Sequence, residues 1–451
     1  MLQMTLIRLF LQPLSGLMKK MRTKTKDGIF LLSAIALFVP NLFRNTLFPD
    51  VPYILVYVWG CFWLGMMILS LLGNSIRPVA WNMPMRLLLA GTGALMLISA
   101  LRFNVDWIAE SVLLLVIVPV LSLVFVNGDI KRVYERLRQA CIGSFLIYVV
   151  LSALLVPIHQ KQYGGLIPNV NGAAIYLVLV LACLFVECVR TDLSRKALFF
   201  RLLLTGMCVA LILYTNSRTG QLAAVAVFIS VFGAMAVFGE KPLRRFALTR
   251  GLFVLLSAVM MMNATIYLIY GGNHIGYAIK DIFAGGAIES PVEDQVPSLD
   301  SFLDYNEEKL ETDDKDLNDI STGRIDIWKA YLQECTLFGS GLEEKFWVPS
   351  RDTYYMTAHM VLLTYAFRHG YICALMFFGF NLLSAVRALR FARKHKAKAW
   401  ALMPLAVTVA FGAISVVASI NTPFLYMITI YYYFAQAPLL SSDVLPGRAA
   451  E

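Results

Sequence analysis

Three short polar segments of this sequence carry side chains that could bind an anion or move a proton. Ser217 and Arg218 occupy a polar gap between two apolar runs, Arg324 opens a helical pattern, and His359 stands just before another apolar run. Arginine presents five N–H donors in a planar fork suited to phosphate oxygens. A neutral imidazole can accept a proton from an attacking hydroxyl group. Together these residue types predict a site that binds phosphate and activates a hydroxyl.

Each of these residues also has a structural interpretation. Position alone places Arg218 equally well at the membrane interface, where its side chain would reach lipid headgroups. Arg324 could pair with Asp326 or with other acidic residues of its loop. An isolated interfacial histidine such as His359 is more often a hydrogen-bonded structural residue than a base. The functional interpretation therefore depends on whether the three segments meet in the folded chain.

Further candidates for substrate binding are Ser217 and two residues of the segment 157–171. Lys161 could add positive charge beside Arg218, and Asn169 follows a proline in a loop that leads into an apolar run. Pro, Asn and Gly are equally what a tight loop requires, so this signal is weak. The sequence has no P-loop, no glycine-rich dinucleotide turn, no HExxH and no paired cysteines, which predicts no cofactor and no metal.

The composition places these segments in a membrane protein. Of the 451 residues, 59% are hydrophobic and only 15% are charged, and the mean hydropathy is +0.68, which argues against a soluble enzyme. The formal net charge is +10, but lysines and arginines gather in short segments between apolar runs. That distribution is typical of cytoplasmic membrane faces, so it predicts contact with membrane lipids and not with nucleic acid.

The apolar runs predict an all-α polytopic protein, since about 17–25 apolar residues match one bilayer crossing. About twelve spans are predicted, near residues 28–47, 52–73, 83–101, 108–127, 139–157, 172–188, 202–216, 219–238, 251–271, 370–387, 401–419 and 423–440. The chain divides into a basic arm (1–27), nine spans (28–271), a large loop (272–369), three spans (370–440) and a tail (441–451). Most lysines and arginines fall in the segments that these spans place on the same side of the membrane as the N-terminus. This distribution predicts both termini in the cytoplasm.

The large loop is therefore predicted to be extracytoplasmic. Between residues 272 and 358 it holds 18 acidic residues against 7 basic ones. Apolar residues at helical spacing from Ile325 to Cys335 predict one short helix, with Ser321 or Thr322 as its N-cap. A second short helix is predicted over Met356–Phe367.

In their order along the chain, these motifs resemble the O-antigen ligase and polymerase superfamily of bacterial inner-membrane glycosyltransferases. The resemblance rests on Pro168-Asn169 with Gly172-Ala173, on Thr215 to Gly220, on Gly323-Arg324 with Trp328 and then Phe338 to Gly341, and on Ala358-His359 with Leu363 and Gly370. It covers roughly residues 139–390. One departure is Met360, since the family usually has asparagine directly after the histidine.

The resemblance implies a GT-C-like membrane fold and a metal-independent, inverting transfer of glycan from a polyprenyl diphosphate carrier. Carried over residue by residue, Arg218 and Arg324 would bind the donor diphosphate, and His359 would be the base on the acceptor hydroxyl. A ligase would join O-antigen from undecaprenyl diphosphate to lipid A–core at the periplasmic face of the inner membrane, in lipopolysaccharide biosynthesis. A polymerase would use a second lipid-linked repeat unit as acceptor. We favour the ligase because one dominant late loop holds both Arg324 and His359.

A transporter or flippase without catalysis is the alternative from a different class. Such folds contain inverted repeats with paired interrupted helices at the membrane midplane. The two halves of this sequence show no matching pair of broken segments, which disfavours that alternative.

Overall fold

A computed structural model describes residues 11–43, 51–72, 76–158, 161–284, 296–310, 323–340, 346–355, 357–420 and 424–445. The protein is mostly helical, and the described residues contain one antiparallel pair of short strands. The helices are α1 (Gln12–Met18), α2 (Thr23–Ala36), α3 (Val39–Phe43), α4 (Tyr53–Leu71), α5 (Met83–Arg102), α6 (Ile108–Val112), α7 (Val118–Asn127), α8 (Ile130–Leu155), α9 (Val170–Cys188), α10 (Arg195–Tyr214), α11 (Arg218–Phe238), α12 (Lys241–Ala284), α13 (Leu299–Leu310), α14 (Arg324–Glu334), α15 (Val361–His369), α16 (Tyr371–Lys394), α17 (Ala399–Ser415) and α18 (Met427–Gln436). The strands are β1 (Phe346–Val348) and β2 (Thr353–Tyr355).

Among the described residues, ten helical segments are long and apolar enough to cross a membrane. The first is Thr23–Phe43, which combines α2 and α3, and the last is Tyr371–Lys394. The two remaining predicted spans, near 401–419 and 423–440, correspond to α17 with 17 residues and α18 with 10. The chain is thus a multi-pass, all-α membrane protein, and a count of twelve crossings stays a prediction.

Helix α9 lies at the centre of the bundle. Every residue from Ala173 to Cys188 is buried, because the helix is apolar on all sides and is surrounded by other helices instead of lipid. Helices α8, α10, α11 and α17 pack around it. The start of α9 is therefore held in place by its neighbours.

Helix α12 is longer than the sequence predicts. The predicted span ended at residue 271, but the helix continues without a break to Ala284, for 44 residues in all. At 1.5 Å per residue this is about 66 Å, roughly twice the thickness of a bilayer's hydrocarbon core. Asn273 anchors the extension to the end of α8: its side chain donates to the carbonyls of Ala153 and Val156 at 2.7 and 2.8 Å and accepts from the N–H of Ile158 at 3.0 Å.

Two short elements of the predicted loop differ from their predicted bounds. Helix α14 begins at Arg324, and its predicted caps, Ser321 and Thr322, lie outside the described residues. The helix predicted over Met356–Phe367 is wrong at its start, because residues 357–360 are not helical and α15 begins at Val361. Residues 353–355, just before the predicted helix, form β2. The strand forms there because β-branched and aromatic residues pair across the hairpin, with Phe346 opposite Tyr355 and Val348 opposite Thr353.

Two glycines join α15 to the segment that follows α14, and we call this contact the glycine crossing. Gly339 and Gly370 have φ angles of 94° and 95°, a region that side chains disfavour. A Cβ at Gly339 would lie 2.4 Å from the carbonyl oxygen of Arg368, and one at Gly370 would lie 2.1 Å from that of Leu337. Only glycine at both positions lets the two backbones pass this closely.

Candidate functional site

The first turns of α9 and α11 lie side by side. Gly220, in the first turn of α11, permits this approach, because a Cβ at that position would lie 2.7 Å from the Cβ of Ala174 in α9. Small residues at a helix contact let the two backbones come close together. The approach brings the N-terminus of α11 beside that of α9.

Ser217 caps α11 and connects it to α9. Its hydroxyl oxygen accepts the N–H of Gly220 at 3.4 Å, and its hydroxyl donates to Oδ1 of Asn171 at 2.9 Å. Asn216 has a φ of 51° and donates its side-chain amide to the carbonyl oxygen of Lys161. The polar gap seen in the sequence is therefore an ordered connection that sets the position of Arg218, the first residue of α11.

Helix α14 holds the segment that contains His359. Trp328 donates its indole N–H to the carbonyl oxygen of Ala358 at 2.9 Å, and the hydroxyl of Tyr331 donates to the carbonyl oxygen of Tyr355 at 3.0 Å. Arg324 precedes Trp328 by about one turn of the same helix. One short helix therefore carries the arginine and fixes the backbone next to the histidine.

The backbone of His359 is in an unusual conformation. Its φ is 52°, a left-handed region that few non-glycine residues occupy. Such conformations persist where the surrounding structure imposes them, and they cluster at functional sites. The hydrogen bond from Trp328 and the complete burial of Ala358 provide that constraint.

One small cavity, which we call the arginine cavity, is lined by residues from all three candidate segments. Its lining includes Asn171 of α9, the N-cap Ser217 and Thr219 of α11, Arg324 of α14, and His359. The end of α17 forms the remaining side. Its volume of about 50 Å³ suits a few water molecules or one small polar group. The fold therefore brings Ser217, Arg324 and His359 to one place.

The three charged or ionisable candidates influence one another. Burial, and next the positive charge of Arg218, lower the pKa of Arg324, although a guanidinium stays charged at any physiological pH. Burial, and next the charge of Arg324, lower the pKa of His359 below its usual 6.5. His359 is therefore a neutral imidazole at neutral pH, with Arg324 nearby.

Of the ion pairs considered as alternatives for Arg324, the one with Asp326 is not formed, and many acidic residues of the loop lie outside the described residues. Neither Asp326 nor any other described carboxylate lies within ion-pair distance of its guanidinium. No acidic residue is among the described residues that line the arginine cavity. No described carboxylate therefore neutralises the charge of Arg324 at this place.

Backbone dipoles add to this charge, because four of the described helices begin beside the cavity. Asn171 is the second residue of α9, Thr219 is the second of α11, Arg324 is the first of α14, and His359 lies two residues before α15. The N-terminus of a helix carries a partial positive charge, which remains at α9 and α11 although side-chain caps bind the N–H groups of Asn171, Gly172 and Gly220. The arrangement favours a small anion over a cation.

Two weaker candidates do not reach the arginine cavity. The ammonium of Lys161 lies 6.0 Å from the ring centroid of Tyr305, and Lys161 is not among the described residues that line the arginine cavity. Asn169 caps α9, where its Oδ1 accepts the N–H groups of Asn171 and Gly172 at 3.0 and 3.3 Å, and it lines a different cavity. The structure thus does not bring these two residues to the arginine cavity, and their part in substrate binding stays a prediction.

Sequence reasoning missed Asn171 and Thr219 as lining residues. Each is the second residue of a helix whose N-cap belongs to a motif, Asn169 in one case and Ser217 in the other. The signal in the sequence was that both residues directly follow the first residue of a capped helix. When two such helices begin side by side, these equivalent positions can face the same cavity.

The unusual Met360 is also explained by its position. Its side chain lines an apolar groove with Trp328, Leu332 and Leu375, and it is not among the described residues of the arginine cavity. Having methionine here instead of the family's usual asparagine therefore takes no polar group out of the arginine cavity.

Comparison with known families supports the motif analysis. Residues 202–378 match a family model described as O-antigen ligase, and this range contains Arg218, Arg324 and His359. No curated protein gives a significant match to the chain. The predicted resemblance to the O-antigen ligase and polymerase superfamily is confirmed.

Within the described residues, no group of three His, Cys, Asp or Glu side chains is placed to hold a metal ion.

Proposed function

We propose that this protein, whose residues 202–378 match the O-antigen ligase family, transfers O-antigen from undecaprenyl diphosphate to lipid A–core in lipopolysaccharide biosynthesis. The observation that carries the proposal is the arginine cavity, where Ser217, Arg324 and His359 meet beside Arg218. This combination offers anion binding and a neutral base within one small space, as glycan transfer from a diphosphate carrier requires.

Arg218, Arg324 and the surrounding helix N-termini bind the diphosphate of the donor. When the bond between the anomeric carbon and the diphosphate oxygen breaks, negative charge grows on that oxygen. Fixed guanidinium and N–H groups in a partly dry cavity stabilise this charge more effectively than water does. The volume of about 50 Å³ fits a phosphate group, so the donor sugar lies at the mouth of the cavity.

His359 removes the proton from the acceptor hydroxyl. Burial and the nearby Arg324 keep its imidazole neutral at neutral pH, so it can accept that proton as the new glycosidic bond forms. The acceptor oxygen attacks the anomeric carbon on the face opposite the leaving diphosphate, which inverts its configuration. The arginines supply the charge stabilisation that a metal ion provides in other transferases, so the mechanism is metal-independent.

The site faces the periplasm of the inner membrane, with both termini in the cytoplasm. The distribution of lysines and arginines between the spans supports this orientation. A donor already activated as a diphosphate suits a compartment without nucleotides, in agreement with a sequence that has no nucleotide-binding motif.

A lipopolysaccharide gel from a strain that lacks this gene, with a parallel stain for lipid-linked glycan, tests the proposal. Loss of a ligase leaves bare core and strands long polymer on the polyprenyl carrier. Loss of a polymerase, the second member of the superfamily, leaves core capped by a single repeat. An unchanged ladder would reject both.

Complementation of that strain tests the individual residues. His359→Ala, Arg218→Ala and Arg324→Ala should each fail to restore the ladder at normal membrane levels. Lys329→Ala is the matched control, since this exposed cation lies on the same helix as Arg324 and is not among the described residues that line the arginine cavity, and it should restore the ladder. Full activity in the first three variants would remove the assigned roles.

A further inference from the structure

A second cavity lies across the first turn of α9 from the arginine cavity, and we call it the tyrosine cavity. It has a volume of about 180 Å³ and is lined by Pro40 and Asn41 of α3, Tyr53 of α4, Asn169 and Gly172 at the start of α9, and Tyr426 before α18. Asn171, two residues after Asn169, lines the arginine cavity instead. About half a helical turn therefore separates the residues that face the two cavities.

The lining of the tyrosine cavity identifies the chemistry of its ligand. None of the described residues around it is charged, which distinguishes it from the arginine cavity and makes it unsuitable for phosphate. Asparagine amides and tyrosines line it together with the apolar Pro40, Ile167 and Leu425. The groove around Leu332, Met360 and Leu375 is apolar throughout and suits a hydrocarbon chain instead. A neutral ligand with both hydroxyl groups and C–H faces matches these walls.

Asn41 presents an acceptor that the protein does not use. Its Nδ2 donates to the carbonyl oxygen of Leu425 at 2.5 Å, which fixes the orientation of the amide. Its Oδ1 is buried and receives no hydrogen bond from the part of the chain that the structure describes. A buried acceptor without a donor is unfavourable, so a small adjustment that brings a ligand hydroxyl to it would be favourable.

Asn169 presents the complementary donor. Its Oδ1 caps α9 through the N–H groups of Asn171 and Gly172. Its Nδ2 forms no hydrogen bond to a described residue. The two asparagines therefore offer one amide acceptor and one amide donor, which together can bind the hydroxyl groups of one ligand.

We propose that the tyrosine cavity binds a sugar residue next to the reacting one. The rings of Tyr53 and Tyr426 pack against the C–H face of the pyranose, and the amides of Asn41 and Asn169 bind its hydroxyl groups. The inference rests on the proposed function, because a site so close to the arginine cavity serves a glycan that reacts there. The sugar comes from the donor glycan or from the acceptor oligosaccharide, and the two sources can be distinguished.

The test measures steady-state transfer by the full-length protein in proteoliposomes, with lipid-linked donor glycan and lipid A–core varied separately. Asn169→Asp keeps the capping oxygen and replaces the donor amide, so the start of α9 is preserved. Asn82→Asp is its matched control, since Asn82 caps α5 in the same manner and does not line the cavity. Tyr53→Ala removes one wall, and Tyr57→Ala, about one turn further along α4, is its control.

Asn169→Asp and Tyr53→Ala should each raise the KM of one substrate by about threefold to tenfold, the effect expected from one lost neutral hydrogen bond or ring contact. A higher KM for the donor alone assigns the sugar to the donor glycan, and a higher KM for lipid A–core alone assigns it to the acceptor. In the donor case, a carrier that holds a single sugar should be used equally by the variant and the wild-type protein. Unchanged KM values for both substrates would overturn the proposal.

A binding measurement separates this inference from the proposed function. Saturation-transfer NMR with oligosaccharide released from the donor, and separately with core oligosaccharide, reports binding without turnover. Binding by wild-type protein that Asn169→Asp weakens and Asn82→Asp does not would support the subsite even if no transfer is detected. Binding of both sugars that is equal in wild-type and Asn169→Asp protein, or absent from wild-type protein, would reject the subsite while leaving the transfer assay to decide the function.

Discussion

Trp328 donates its indole N–H to the carbonyl oxygen of Ala358 at 2.9 Å, directly before His359 with its φ of 52°. Arg324 begins the helix that carries this tryptophan. The helix therefore sets the separation between a guanidinium and an imidazole that come from distant parts of the sequence. Their relative position depends on one side-chain hydrogen bond and the core beneath it.

Trp328→Phe should lower the rate of glycan transfer at saturating substrate by about tenfold to a hundredfold, because small displacements of a reacting group cost this much. The loss of one hydrogen bond should lower the free energy of unfolding by only about 1 kcal/mol. Transfer kinetics and thermal unfolding of the purified protein check both values. Trp347→Phe is the control, since this half-exposed indole packs on Tyr354 in the hairpin; an equal fall in both variants would contradict a specific role for Trp328.

The transfer rate should fall at low pH as His359 becomes protonated. The pKa of His359 is lowered by burial and next by Arg324, so the rate should be level at neutral pH and decline only below pH 6.5. Arg324→Met removes the neighbouring positive charge, which makes protonation easier and raises the pKa. The acid limb of its normalised rate profile should therefore move to higher pH. A profile that keeps its position in Arg324→Met would show that His359 is not the titrating base.

Gly339→Ala should inactivate the protein and destabilise it. The new Cβ would lie 2.4 Å from the carbonyl oxygen of Arg368 at a φ of 94°, and strain of this kind costs about 1–3 kcal/mol. The shift would reach His359 through α15, which ends at the glycine crossing. Gly271→Ala is the matched control, since a Cβ at that position would have no other atom within 4 Å. Thermal unfolding and transfer assays should separate the two, and equal behaviour would contradict the close contact.

Treatment of the purified protein with EDTA should leave glycan transfer unchanged. In the proposed mechanism Arg218 and Arg324 provide the positive charge beside the diphosphate. Transfer rates before and after chelation, followed by dialysis, check this expectation. Inhibition by EDTA that a divalent ion reverses would contradict a metal-free mechanism.

Hydropathy could predict most of the fold, because each apolar run must form a helix to satisfy its backbone in a bilayer. It could not predict the extension of α12, which depends on the contact of Asn273 with the end of α8. It also missed β2, because three residues around Tyr354 do not show a strand until their partners in β1 are known. The two failures have different causes: the partner of Asn273 is distant in sequence, whereas the hairpin is local but too short to show a strand pattern.

The site was predictable to a similar extent. The types of Arg218, Arg324 and His359 suggested the chemistry that we propose for them, and the family resemblance predicted that they act together. The residues between them were less visible, because Asn171 and Asn169 differ by two positions yet face different cavities. Only the packing of α9 against α11 decides which asparagine faces the arginine cavity.

The length of α12 has a mechanical consequence. Residues 272–284 form a stiff rod of about 20 Å, and the bonds of Asn273 brace this rod against α8. These three hydrogen bonds resist a displacement of the rod from α8. Helices α14 and α15 are tied by the hydrogen bonds of Trp328 and Tyr331 and by the glycine crossing, so we expect the arginine cavity to open where these contacts break.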